Sequence, residues 1–161
     1  MTGSSRAKLQ AQIETAFRGV PALPAARIVL EQHQHHVDAQ QMASAFGGRH
    51  WTELSLQELF FHRESIFTLS SAGYLSYLPA YLCGCLHDDT RLVTDISWYT
   101  VSGLRTQRAM RTTHQRLELF GKDQRSAVAA VLRHVAESLS DERAEKILAE
   151  WPGSSMDSGR M

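Results

Sequence analysis

The stretch LEQHQHHVDAQ, residues 30–40, gathers three imidazoles and two carboxylates within eleven positions. Neutral imidazoles with a carboxylate suit zinc or another divalent ion, and a neighbouring Asp or Glu can orient a metal-bound ring. If residues 25–46 form one helix, His33 and His36 stand three apart on a shared face, as a ligand pair does. Glu31 with His35, and His35 with Asp38, then form a neighbouring facet. A zinc site also needs a second ligand pair. His50, His62, His87 and Cys83 or Cys85 are the available groups, and no spacing rule ties them to the first pair. The alternative is a solvated helix face rich in Gln and His. On either reading Glu31, His33, His35, His36 and Asp38 make a polar surface that folding does not explain.

A second such surface is LRTQRAMRTTHQR, which carries Arg105, Arg108, Arg111 and Arg116. Guanidinium forks match the geometry of carboxylates and phosphates, so this run suits an acidic protein partner or a nucleic-acid backbone. No aromatic residue interleaves with the arginines, which speaks against stacking on single-stranded bases. The chain holds 17 basic and 17 acidic residues, so it lacks the overall basic field of a nucleic-acid binder. An acidic protein is the expected partner of the two, and residues 105–116 read as an extended polar connection.

Catalytic signatures are missing. There is no nucleophile elbow, no phosphate-cradling glycine loop and no His-Glu-x-x-His helix. His62 and Glu64 offer an acid and a base on paper, but side chains two apart do not face each other on a helix. Cys83 and Cys85 point to different sides of a helix and read as small core residues. The sequence leans away from an enzyme.

The elements that must position these groups are helical. A chain of 161 residues with 43% apolar and 21% charged residues is one globular domain, long enough to fold without disulfide or metal. Leu9, Ile13, Ala16, Phe17 and Val20 repeat at helix spacing until Pro21 and Pro24. Ser55 followed by Glu58 is a capping box, with Leu54 and Leu59 as its hydrophobic staple, and predicts a short helix from Leu56 to about Arg63. Tyr74, Leu75, Leu78, Leu82 and Leu86 share the face of a central helix that should kink at Pro79. Residues 90–104 mix β-branched and helix-spaced positions and are read as helix for want of a strand partner. Asp123 is the expected cap of a helix with Val128, Val131, Leu132, Val135 and Leu139 on one stripe. A last helix follows Ser140, turns Ala144, Ile147, Leu148 and Trp151 inward, and stops at Pro152-Gly153.

Two blocks carry a family resemblance. AFGGRHWTELSLQELFFHRESIFTLSSAGYLSYLPAYL, residues 45–82, resembles the central block of a bacterial family of unknown function. That block has a Phe-Gly-x-x-x-Trp entry, a Leu-Ser/Thr-x-x-Gly/Ala-aromatic turn and a Tyr-Leu-Pro-Ala-Tyr run. LELFGKDQRSAVAAVLRHVAE, residues 117–137, is similar to the family's closing helix. The resemblance implies a small bacterial helical domain and supplies no reaction. Small domains of this kind sit beside secreted toxins as immunity proteins, and the analogy gives the expected function its concrete form.

The expectation is therefore an all-α, compact single-domain helical bundle of about five to seven helices around a Pro-kinked central helix. Residues 6–151 would form the domain, with a flexible N-terminus over 1–5 and a disordered tail over 152–161. Its function would be non-catalytic protein binding, as an immunity protein that occludes a cognate toxin or effector. The contacts would come from Glu31, His33, His35, His36, Asp38, Arg105, Arg108, Arg111 and Arg116. This reading needs no cofactor. The alternative is a metal-binding protein or metal-dependent enzyme centred on His33 and His36, holding zinc or another divalent ion. No segment reads as a signal peptide or membrane span, so the expected location is cytoplasmic.

Overall fold

Seven α-helices and four 3-10 turns, with no strand, make up the residues that the structure, a computed structural model, describes: 3–88, 90–109 and 120–151. The helices are α1 (Gly3–Ala16), α2 (Val37–Phe46), α3 (Leu56–Phe61), α4 (Ser71–Gly84), α5 (Thr90–Ala109), α6 (Lys122–Ser138) and α7 (Glu142–Glu150). The first starts at Gly3, inside the stretch expected to be flexible, and the expected tail lies outside the described residues. Among the described residues no helix is long and apolar enough to cross a membrane.

Helix α4 is the axis of the fold. Ten of its fourteen residues are buried, because α1, α3, α5 and the turn Trp51–Glu53 all pack against it. Its tyrosines place their rings in the core, and Tyr77 and Tyr81 set their hydroxyls on backbone groups, which satisfies a buried polar tip. Tyr77 Oη donates to the Arg49 carbonyl at 2.8 Å and the Phe46 carbonyl at 3.2 Å, and accepts from the Leu23 N–H at 3.2 Å. Tyr81 Oη donates to the His62 carbonyl at 2.9 Å. The helix continues through Pro79, whose ring nitrogen has no proton to give to the Leu75 carbonyl. Cys83 and Cys85 are free thiols, and buried Cys85 donates to the Tyr81 carbonyl at 3.3 Å.

The Ser55–Glu58 capping box forms as the sequence predicts, with Ser55 Oγ accepting the Glu58 N–H at 3.1 Å and Glu58 accepting the Ser55 N–H at 2.9 Å. Glu58 also receives both arms of Arg49, at 2.5 and 3.0 Å. A second box, in which Glu53 accepts the His50 N–H at 2.8 Å, secures the turn Trp51–Glu53. Asp141 caps α7 through the N–H groups of Arg143 and Ala144.

Three expectations change. Residues 25–46 are not one helix: a 3-10 turn Ala25–Arg27, an extended bridge from Val29 to Leu69 and a second turn Glu31–His33 precede α2. The backbone there finds partners across the chain, Leu30 N–H to the Thr68 carbonyl and Ser70 N–H to the Ile28 carbonyl, each at 2.8 Å. Those bonds satisfy the segment, which has too few apolar residues to support a buried helix face. Residues 105–109 belong to α5 rather than to an extended connection; they hold residues of good helix propensity and no glycine or proline. Helix α6 is entered through Gly121, whose N–H is held by the Gln124 side chain at 2.9 Å, while Asp123 lies in the first turn and Leu139 ends 40% exposed.

Candidate functional site

Because residues 31–36 are a turn followed by an extended residue, the histidines are set on a short irregular segment rather than on a helix. His33 and His36 still meet, with ring centroids 5.2 Å apart in an edge-to-face arrangement. His33 is half-buried and its Nδ1 has no hydrogen-bond partner, while Glu31, His35, His36 and Asp38 are exposed. His36 is also the residue that opens α2, and Asp38 stands in the first turn, where the positive end of the helix favours a carboxylate. The pair supplies two ligands of a zinc shell that takes four. Among the described residues no group of three or more His, Cys, Asp or Glu gathers as a metal site.

What the segment does form is one wall of a groove of about 350 Å³, lined by His36, Val37, Asp38 and Ala39 on one side and Glu64, Ser65 and Thr68 on the other. The lining holds two carboxylates and no Lys or Arg. Val37, an apolar residue, is 63% exposed at its edge.

The turn Glu64–Thr68 that closes this groove also carries Phe67, and there a second feature begins. Phe67 meets Tyr99 of α5 with ring centroids 6.1 Å apart, Tyr99 meets Trp98 at 4.9 Å, and the Arg143 guanidinium lies 4.9 Å from the Trp98 ring. Arg63 covers Phe60 at 4.1 Å and stands 5.8 Å from Tyr99. Both arginines are already committed within the fold. Arg63 faces Asp95 at 3.7 Å, and Arg143 holds Asp141 at 3.1 Å and Ser102 Oγ at 2.6 Å. Their role is to clamp the aromatic row, yet Trp98 is left 51% exposed.

The arginine run contributes less that can be described. Arg105 is exposed near the end of α5. Arg108 lies in the same helix with its side chain outside the described residues, as are Arg111 and Arg116 altogether.

Sequence reasoning passed over Phe67, Trp98 and Tyr99. The signal for Trp98 was present. Val93, Ile96, Val101 and Leu104 are the buried side of α5, so Arg91, Thr94, Trp98 and Arg105 occupy its solvent side, and a tryptophan there breaks the amphipathic pattern. The β-branched residues of the segment drew attention instead.

His62 is the buried histidine nearest this region in sequence. Burial holds its pKa below the ordinary value, against the opposing pull of Glu58 and Asp38, and its ring packs edge-on against Phe46 and Phe61. It is a neutral core group.

No curated protein and no solved structure matches the chain. A family model described as a family of unknown function (DUF6714) matches residues 5–152.

Proposed function

The chain belongs to that family of unknown function (DUF6714), and we propose from its surface that it is a non-catalytic protein-binding domain. The observation that carries the proposal is the aromatic row Phe67–Tyr99–Trp98, exposed at Phe67 and Trp98 and half-buried at Tyr99, with Arg63 and Arg143 against it. Exposed aromatic rings that adjoin one another mark an interaction site where a single exposed ring does not, and Trp, Tyr and Arg are enriched among the residues that dominate the binding energy of protein interfaces. The groove beside it extends the surface with a polar rim. Its carboxylates, Asp38 and Glu64, suit a partner segment bearing Lys or Arg. Glu31, His33, His35 and His36 lie on the segment that leads into that groove, and the guanidinium groups of Arg105, Arg108, Arg111 and Arg116 suit acidic groups of the same partner by charge alone.

The concrete form of this function is an immunity protein that occludes a cognate toxin or effector. A standard interface would bury about 1,600 Å² in total, enough to cover the row and the groove together. The test is binding to the product of each neighbouring gene, with Trp98→Ala and Phe67→Ala beside the native chain. Loss of affinity by about 30-fold in Trp98→Ala is expected of a central anchor. Binding unchanged in both variants would remove the aromatic row from the interface. If no neighbouring product is bound or neutralised, the immunity form fails.

A further inference from the structure

A separate cleft of about 220 Å³ lies where α1, the turn Trp51–Glu53, α3 and the end of α4 converge, and it shares no lining residue with the groove at His36. We infer that this cleft binds a primary alkylammonium group, either a small free amine or the side chain of a lysine. Its wall is apolar: Leu54, Leu56, Leu59 and Ala80, with the Trp51 indole. Its polar groups are Gln10, Glu14, Thr52 and His87. The lining contains one carboxylate and no Lys or Arg, so the complementary ligand has a cationic head on an apolar stem.

The parts that would receive the ligand are held in place before it arrives. Trp51 Nε1 donates to the Phe17 carbonyl at 3.2 Å, which fixes the indole. Gln10 Nε2 donates to Glu14 at 3.1 Å from one turn earlier in α1 and orients the carboxylate. Arg49 and the two capping boxes lock the turn and α3, which supply Trp51, Thr52, Leu54, Leu56 and Leu59. The Glu14 carboxylate, with no Lys or Arg in the lining to neutralise it, favours a cation over a neutral head.

The volume sets the size. It equals that of about seven waters at about 30 Å³ each, room for a stem of roughly four to six carbons. Cys83 also lines the cleft, and burial together with the nearby Glu14 pushes its thiol up to about 12.

The experiment titrates 1-hexylamine and, in parallel, 1-hexanol into the full chain, while the indole N–H resonances of the three tryptophans are followed by NMR. The expected result is a saturable shift of the Trp51 signal with hexylamine, weaker with hexanol, and weakened about fivefold in Glu14→Gln, the loss of one partly screened ion pair. Glu14 is exposed, so its replacement leaves the fold intact. The same titration with N-acetyl-lysine amide separates the two sources: equal binding assigns the cleft to a partner's lysine, and no binding assigns it to a free amine. An unmoved Trp51 signal, equal binding of hexanol, or an unaffected Glu14→Gln would overturn the inference. Trp98 reports on the docking surface independently, so failure at one site is distinguishable from failure at the other.

Discussion

Glu58 is the residue on which most local bonds converge. One carboxylate closes the α3 cap through the Ser55 N–H and also grips Arg49, whose guanidinium in turn donates to the Ala45 and Glu53 carbonyls. The Arg49 hydrogen bonds, opposed by burial and helped by Ser55, hold Glu58 down from 4.5 to about 2. A carboxyl depressed in the folded state stabilises above its unfolded pKa, and that stability is lost as pH falls through the folded value. Glu58→Ala should therefore cost about 1–2 kcal/mol at neutral pH, the loss of a cap and its ion pair. In denaturant titrations its deficit against the native chain should narrow as pH falls from 4.5 towards 2. A deficit that stays constant over that window would mean that the carboxylate's charge is irrelevant. Half of this node was legible in the sequence. Ser55 and Glu58 announce the box by their spacing, whereas Arg49 lies nine residues from Glu58 across a turn whose path only the fold decides.

At the scale of elements, α4 shows why Gly73 is needed. A Cβ there would stand 2.2 Å from the Ile28 carbonyl oxygen, closer than any real contact, because the extended segment at Val29 runs against the first turn of the helix. Ser70 secures the same crossing: its Oγ donates to the Arg27 carbonyl at 2.7 Å and accepts the Gly73 N–H at 2.9 Å. Gly73→Ala should lose about 2–4 kcal/mol, since backbone and not a flexible side chain must yield. A shifted denaturation midpoint with unchanged slope would confirm it; a stability within error of native would show that the crossing can relax. Helices α6 and α7 were legible because burial on one face writes a period into the chain, and α4 because it is apolar nearly all round. The segment before α2 was not, because its conformation comes from pairing with residues 68–70, forty positions away.

For the whole molecule, two buried histidines should govern the response to mild acid. His62 ends α3 with its ring against Phe46, and His134 lies in α6 with its Nδ1 3.3 Å from Ser138 Oγ. Burial, with Arg6 adding to it at His134, lowers both pKa values from 6.5. A histidine kept neutral by the fold takes up a proton more readily when unfolded. Its contribution is therefore complete above 6.5 and declines as pH falls below that value. The melting temperature should drop between pH 7 and pH 5, before Glu58 begins to titrate, and His134→Gln should shrink the drop. An equal drop in that variant would assign the acid response elsewhere. At this scale the all-helical class was readable from composition and periodicity. The aromatic row was not, because it is assembled from Phe67, Trp98 and Arg143, which no spacing rule brings together.

The pairing of α1 with α6 has a consequence during synthesis. Ile13 and Phe17, fully buried in the finished protein, leave the ribosome more than a hundred residues ahead of α6, the helix that covers them. At about 5–20 residues per second, that face waits on the order of 5–20 s in water. Helix α1 is thus made long before its partner α6 can shelter it, and for those seconds its apolar face is open to a chaperone that holds nascent apolar segments.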